Sequence, residues 1–185
     1  VTTVDTNLEV QRSTLVAPNW QLWKTANTAG RIVLSYDNTP GSTDAFAPGA
    51  GIFQLNVSSA PNSSGLRTFL HGYPVISGLD VTFSFYFFAA NGQTSYHRGV
   101  SENGSVLFSK QITGNGAWQR VTTTFEAPED GSRWAGFDVF YNPSGTINSN
   151  QIWKGTCAQL QLGTSASPFE NRPESFERAL CEAIY

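Results

Sequence analysis

Between residues 79 and 90 the chain alternates: Val81, Phe83, Phe85 and Phe87 fall on one side, and Thr82, Ser84, Tyr86 and Phe88 on the other. A period of two is that of a β-strand, whose successive side chains point to opposite faces. One face is therefore core and the other semi-polar. Shorter runs of the same kind predict strands at 31–36, 51–57, 65–70, 94–101, 105–112, 119–126, 134–141 and 152–162. Asn91-Gly92, Asn103-Gly104, Asn115-Gly116 and Asp130-Gly131 punctuate them with turn residues. Asn103-Gly104 suits the positive φ angles of a type I′ turn and predicts a hairpin between 94–101 and 105–112. The run at 94–101 is also expected to be the hairpin neighbour of the strand at 81–90. Eight or nine short strands without an intervening helical period exclude a βαβ plan. What remains is an all-β antiparallel β-sandwich, with the jelly roll the commonest arrangement of this size and an immunoglobulin-like topology still open.

The pattern changes once. From 173 to 185 the apolar residues Phe176, Ala179, Leu180, Ala183 and Ile184 recur at spacings of three and four, the signature of one helical face. Pro173 fits the first helical position, and Glu174 and Glu177 suit the positive end of the helix dipole. The expected organisation is a jelly-roll sandwich over 1–165 and an extension over 166–185 carrying one short C-terminal α-helix. So short a helix is marginal alone in water, so its apolar face needs the sandwich or a sister subunit.

Composition supports strands. Charged residues make up only 14% of the chain, against roughly 25% in typical soluble domains, while 17 glycines and many Ser, Thr, Asn and Gln fill the polar positions. The net charge is -3 and no basic cluster exceeds two adjacent residues, which argues against nucleic acid and anionic membrane surfaces as partners. No apolar run approaches the roughly 20 residues of a membrane-crossing helix. Residue 1 is Val and the chain has no Met, so it is either processed or a piece of something longer. Cys157 and Cys181 read as reduced, partly buried thiols, and with His71 and His97 they do not make a zinc pattern.

Catalytic motifs are lacking: there is no Gly-x-Ser-x-Gly elbow, phosphate loop or His-Glu-x-x-His. A carboxylate pair such as Asp138 with Glu102 or Glu126 is the one hydrolytic arrangement that counting leaves open. The expected chemistry is binding, not catalysis. Sugar recognition asks for exposed aromatic rings flanked by hydrogen-bonding groups. Tyr86, Tyr96, His97, Arg98, Trp134, Asp138 and Tyr141 are the candidates, with cross-strand pairing as their structural alternative. Trp23 and Trp118 read as seals at the ends of the core, whereas Trp20, Trp134 and Trp153 read as the more exposed tryptophans.

The C-terminal stretch carries a resemblance. Ala158 to Gly163 reads AQLQLG, Ser167 to Glu170 reads SPFE, Arg172-Pro173 forms a basic, proline-containing link, and Leu180-Cys181 sits in the final helical pattern. In combination these resemble the ending of a family of bacteriophage tail-fibre and related virion proteins. Asn7-Leu8, the segment at 19–23, and Trp118-Gln119-Arg120 agree more loosely. Gln161 stands where the family has an acidic residue, and Ala183-Ile184-Tyr185 stands where it has a more polar ending. The resemblance implies a carbohydrate-binding-module-like jelly roll in a virion protein of the tail or capsid surface. It further implies a homotrimer contacting other virion proteins and host-surface glycan. Phe176, Leu180, Ile184 and Tyr185 are the expected oligomer contacts. A capsid decoration or fibre-assembly module without a sugar ligand is the alternative, and a polysaccharide depolymerase a third reading. No cofactor is required by this reading. Structural calcium accompanies many such jelly rolls, but no contiguous Asp-rich loop locates a metal here.

Overall fold

A computed structural model of the chain describes residues 64–142 and 151–169 throughout, and elsewhere the strands at 2–5, 14–17, 20–24, 32–37 and 52–57. Side chains are described for 65–141, 151–169 and Gln21. In chain order the strands are β1 (Thr2–Asp5), β2 (Thr14–Ala17), β3 (Trp20–Lys24), β4 (Ile32–Asp37), β5 (Ile52–Val57) and β6 (Ser64–His71). They continue with β7 (Asp80–Ala89), β8 (Thr94–Ser101), β9 (Val106–Thr113), β10 (Gln119–Glu126), β11 (Trp134–Asn142) and β12 (Gln151–Leu162). The predicted strands reappear within one or two residues, joined by β1, β2 and β3, which the pattern does not mark.

The strands form two antiparallel sheets. One runs β1-β4-β5-β12-β7-β10 and the other β2-β3-β6-β11-β8-β9. The fold is thus the expected all-β sandwich. Its core is aromatic, because the inward face of β7 supplies Phe83, Phe85 and Phe87, each no more than 2% exposed. Phe83 packs on Phe137 of β11 at 5.2 Å between ring centroids, and Phe108 of β9 packs on Phe125 of β10 at 5.1 Å. Small residues on the facing strand make room. Gly99 of β8 lies so close to Phe108 that a Cβ there would come within 2.7 Å of the ring.

Two local expectations need correction. The strand β8 is not the hairpin neighbour of β7. The chain turns at Gly92 (φ 79°) and crosses to the other sheet, so that β7 pairs with β10 and β12 while β8 pairs with β9 and β11. The hairpin of β8 and β9 does form, but only Gly104 (φ 84°) takes left-handed backbone. Its N–H donates to Ser101 O at 3.0 Å, and a register irregularity between Gly99 and Val100 absorbs the residue that a type I′ turn would not need.

Among the described residues the helical element is a single 3₁₀ turn at Tyr73–Val75. The helix expected at 173–185, and with it Phe176, Leu180, Ile184 and Tyr185, lies outside the described residues. The chain beyond β12 is described as far as Phe169, and this stretch folds back over the outer face of β12, β7 and β10 as a strap. The Thr82 hydroxyl donates to Gly163 O at 2.7 Å, the Thr124 hydroxyl to Thr164 O at 3.3 Å, and the Arg120 guanidinium to Ser167 O. Gln161 accepts from the Ser167 N–H at 2.8 Å. Thr82 and Ser84 point away from the core by strand alternation yet are at most 2% exposed.

Candidate functional site

The outer face of the second sheet has a different character. Strand alternation, with Leu66, Phe137 and His97 turned inward, turns Arg67 and Phe69 of β6, Trp134, Gly136 and Asp138 of β11, and Tyr96 and Arg98 of β8 outward. Antiparallel register then aligns Arg67, Asp138 and Arg98 in one row across three strands, with Tyr141, Tyr96 and Gln111 in the next. An irregularity between Asp138 and Phe140 re-aims β11, so that Phe140 enters the core while Tyr141 joins the outer face.

Asp138 is fully buried although it lies on an outer face, because two guanidinium groups cover it. Arg67 donates from Nε to Oδ1 and from Nη2 to Oδ2, both at 2.9 Å, and Arg98 donates from Nε to Oδ2 at 3.3 Å. The two-pronged geometry matches the fork of a guanidinium to the two oxygens of a carboxylate. Gly136 makes it feasible: a Cβ there would sit 2.6 Å from Cδ of Arg67, which lies flat across β11. The neighbouring row supplies an aromatic plate against it, since the Arg98 guanidinium lies 4.0 Å from the centroid of the Tyr141 ring. Tyr96 meets Tyr141 edge-on at 6.5 Å and donates its hydroxyl to Gln111 Oε1 at 3.2 Å.

A second aromatic station lies at the other end of β11. There Phe69 packs edge-on against Trp134 at 5.3 Å and is stacked with His71 at 6.3 Å. Trp134 and Tyr141 are seven positions apart on one strand, so the stations are separated by roughly 20 Å at the usual strand rise. The face therefore presents aromatic rings at both ends and a fixed, charged hydrogen-bonding row between them.

Five of the seven sequence candidates, Tyr96, Arg98, Trp134, Asp138 and Tyr141, come together on this face. Two do not. His97 is 3% exposed in the interior, between Phe85 and Phe108, with Nε2 2.6 Å from the Thr123 hydroxyl. Burial pushes its pKa down to about 4, repulsion from Lys110 adds to the effect, and the Lys110 backbone beside the ring offsets part of it. Tyr86 lies on the outer face of the other sheet, with the Arg120 guanidinium 6.0 Å from its ring centroid. Trp153, read as exposed, is wholly buried and stacks on Phe140 at 6.1 Å. Trp118 lies half-buried at the end of β10, 5.7 Å from Phe88.

Arg67, Phe69 and Gln111 belong to the face but carry no signal in the local sequence, because their partners are set by register between distant strands. The carboxylates once paired by counting are dispersed: Asp138 is held by arginines, Glu126 ends β10 in the other sheet, and Glu102 sits in the β8–β9 turn. Among the described residues no three His, Cys, Asp or Glu side chains cluster as metal ligands. Cys157 is a free, buried thiol whose pKa is raised by burial.

No protein-family model matches the chain, and no curated protein does. Solved structures do resemble it in fold. A CBM4 carbohydrate-binding module superposes with a TM-score of 0.58 at 12% identity, over 80% of this chain and 90% of that one. The TmCBM61 module, solved in complex with β-1,4-galactotriose, gives 0.52 at 13% identity over 82% of this chain and 99% of that one. The enzymatically active domain of tailspike protein 4 from bacteriophage CBA120 gives 0.54 at 14% identity; the match spans 78% of this chain but 19% of that one. At these identities the likeness establishes a shared jelly-roll sandwich.

Proposed function

We propose that this chain is a glycan-binding module whose ligand lies along β11 on the outer face of the second sheet. One observation carries the reading. That face assembles two aromatic stations, Phe69 with Trp134 and Tyr96 with Tyr141, around the Arg67–Asp138–Arg98 row, whereas the strap occupies part of the outer face of the other sheet. Rings of this kind stack on the apolar faces of sugars, and the held arginines and Gln111 are the hydrogen-bonding groups that would fix a sugar's orientation. The carbohydrate-binding modules of the same fold make the reading consistent. No catalytic step is assigned to it.

The setting proposed is a bacteriophage particle, where the module helps attach the virion to host-surface glycan. The stretch 158–173 and Leu180-Cys181 support this through their resemblance to tail-fibre endings. A homotrimer would multiply weak sites by raising effective concentration, without any new contact. The test is a glycan array followed by calorimetry on the best binders, with light scattering to give the mass. Trp134→Ala and Tyr141→Ala should each weaken binding roughly five- to tenfold, the equivalent of about 1–1.4 kcal/mol per lost ring contact. If folded protein binds no glycan at millimolar concentration, the reading fails and an assembly module without a sugar ligand takes its place.

A further inference from the structure

Among the described strands, β10 closes one end of the first sheet and β9 the matching end of the second. An end strand offers a row of backbone N–H and C=O groups to any strand that can pair with it, and proteins usually blunt such edges with lysine, proline or irregular pairing. The edge at β9 is blunted: Lys110 is exposed near its middle, and its pairing with β8 is interrupted between Gly99 and Val100. The edge at β10 is not. It runs from Gln119 to Glu126 without lysine or proline, and pairs with β7 at every residue without irregularity. Hydrogen bonds at its end fix which residues face outward. Ala127 turns its N–H to Leu79 O at 3.0 Å and its C=O to the Gly78 N–H at 2.6 Å, both on the β7 side. The C=O of Asp80, opposite Glu126, instead turns away and accepts the Gly163 N–H at 2.7 Å. Antiparallel ladders alternate, so Arg120, Thr122, Thr124 and Glu126 aim their N–H and C=O groups outward from the sheet. Thr122, Thr124 and Glu126 are exposed.

We propose that β10 pairs antiparallel with β10 of a second copy of this chain, about a two-fold axis at Thr123. The strand's own sequence selects both partner and register. Centred on Thr123, self-pairing sets Arg120 opposite Glu126, Thr122 opposite Thr124 and Val121 opposite Phe125. Each pair joins residues of the same face, as the pleat demands, and the outward-aiming residues meet as hydrogen-bonded pairs. Opposite charges across a strand pair attract and like charges repel, so the contact is complementary at both ends. Shifting the centre to Thr122 or Thr124 loses the match of Arg120 with Glu126. Within its own chain Glu126 has no ion pair among the described residues. Arg120 gives Nη2 to Ser84 Oγ and Ser167 O, and engages neither Nε nor Nη1 among the described residues. The contact is isologous and makes even-numbered assemblies, adding to a threefold contact elsewhere without replacing it. Since the axis stands across the sheet plane, the outer faces of both second sheets look the same way. Two β11 faces side by side would hold one polymer at two points, a consequence that rests on the glycan reading, whereas the pairing does not.

The test is the solution mass of the full chain by sedimentation velocity, with no sugar present. Wild type should run at an even multiple of 20.1 kDa at submillimolar concentration. Thr122→Pro removes an N–H that no strand of its own sheet uses, so it should halve that mass while circular dichroism and the urea midpoint stay near wild type. Glu126→Arg and Arg120→Glu should each weaken association about tenfold, because both ends of the contact turn from attraction to repulsion. The double exchange should bring association back to within about threefold of wild type. Such recovery also excludes loss of the Ser167 contact as the cause, since the double variant lacks that contact too. A wild type of one or three chains overturns the proposal, as does an even-numbered wild type that Thr122→Pro leaves unaltered. A folded double variant that associates no better than the single ones overturns it as well. If Thr122→Pro does not fold, the charge exchange decides alone.

Discussion

Replacing His97 by Gln should flatten the acid limb of the stability profile. In the folded chain the imidazole is 3% exposed, packed against Phe85 and Phe108, and its pKa is pushed down to about 4 from the ordinary 6.5. Between those two values the unfolded chain binds a proton that the folded chain refuses. Stability therefore falls as pH drops from about 6.5, with a slope of up to about 1.4 kcal/mol per pH unit, and the contribution is fully lost below about 4. A shift of about 2.5 units corresponds to roughly 3 kcal/mol over the whole window. With a urea slope of about 2–3 kcal/mol/M for a domain of this size, the midpoint should fall by about 1–1.5 M. Glu102 and Asp130, whose pKa values are both lowered to about 2 by hydrogen bonds, add losses only below the usual carboxylate range. They are present in both proteins and cancel. The assay is urea unfolding of wild type and His97→Gln at half-unit steps from pH 7.5 to 4.5, comparing slopes because the substitution also alters packing. Parallel profiles across that range would refute the burial argument.

Three further outcomes follow from the same geometry. Asp138→Ala leaves Arg67 and Arg98 facing each other across a buried row; loss of one partner of a buried pair should lower stability by about 3–5 kcal/mol, read as a fall in Tm. Gly155→Ala places a Cβ 2.8 Å from Cζ of the fully buried Phe140 and should destabilise the fold by about 1–3 kcal/mol in urea melts, since backbone or ring must shift. In a Cys181→Ser background, Cys157 should react with a thiol reagent at pH 8 only as fast as the protein unfolds, because burial both shields the thiol and raises its pKa. Complete labelling of native protein within seconds would contradict that placement.

The sandwich was readable because its strands keep period two and its turns carry Asn-Gly and Asp-Gly. Most of the strands from β4 onward follow from alternation alone, and β8 and β10 coincide with their predicted bounds. What alternation does not reveal is which sheet each strand joins. The pairing of β7 with β8 failed for that reason, since both strands look alike locally and differ only in their distant partners. The site shows the same division. Tyr96, Arg98, Asp138 and Tyr141 were visible as polar and aromatic residues on strands, but Arg67 becomes part of the row only through register with β11, whose Asp138 lies 71 residues away. Alternation alone separates His97 from the face: it stands between Tyr96 and Arg98, and adjacent residues of a strand face opposite ways. Trp153 read as exposed because it lies near the start of its strand, yet β5 on one side and β7 on the other enclose its backbone.

That enclosure bears on how the molecule is made. Residues 151–155 of β12 pair with β5, and residues 153–162 pair with β7 along the other edge, with an irregularity between Thr156 and Gln159 where Cys157 takes left-handed backbone (φ 54°). No direct pairing joins β5 to β7, so β1-β4-β5 and β7-β10 become one sheet only through this strand. Among the described strands it is also the last to leave the ribosome. Earlier strands can pair and collapse during synthesis, but the central slot of the first sheet stays empty until residues 151–162 have emerged. Truncation ahead of β12 should therefore yield not a smaller sandwich but two half-sheets with open, adhesive edges.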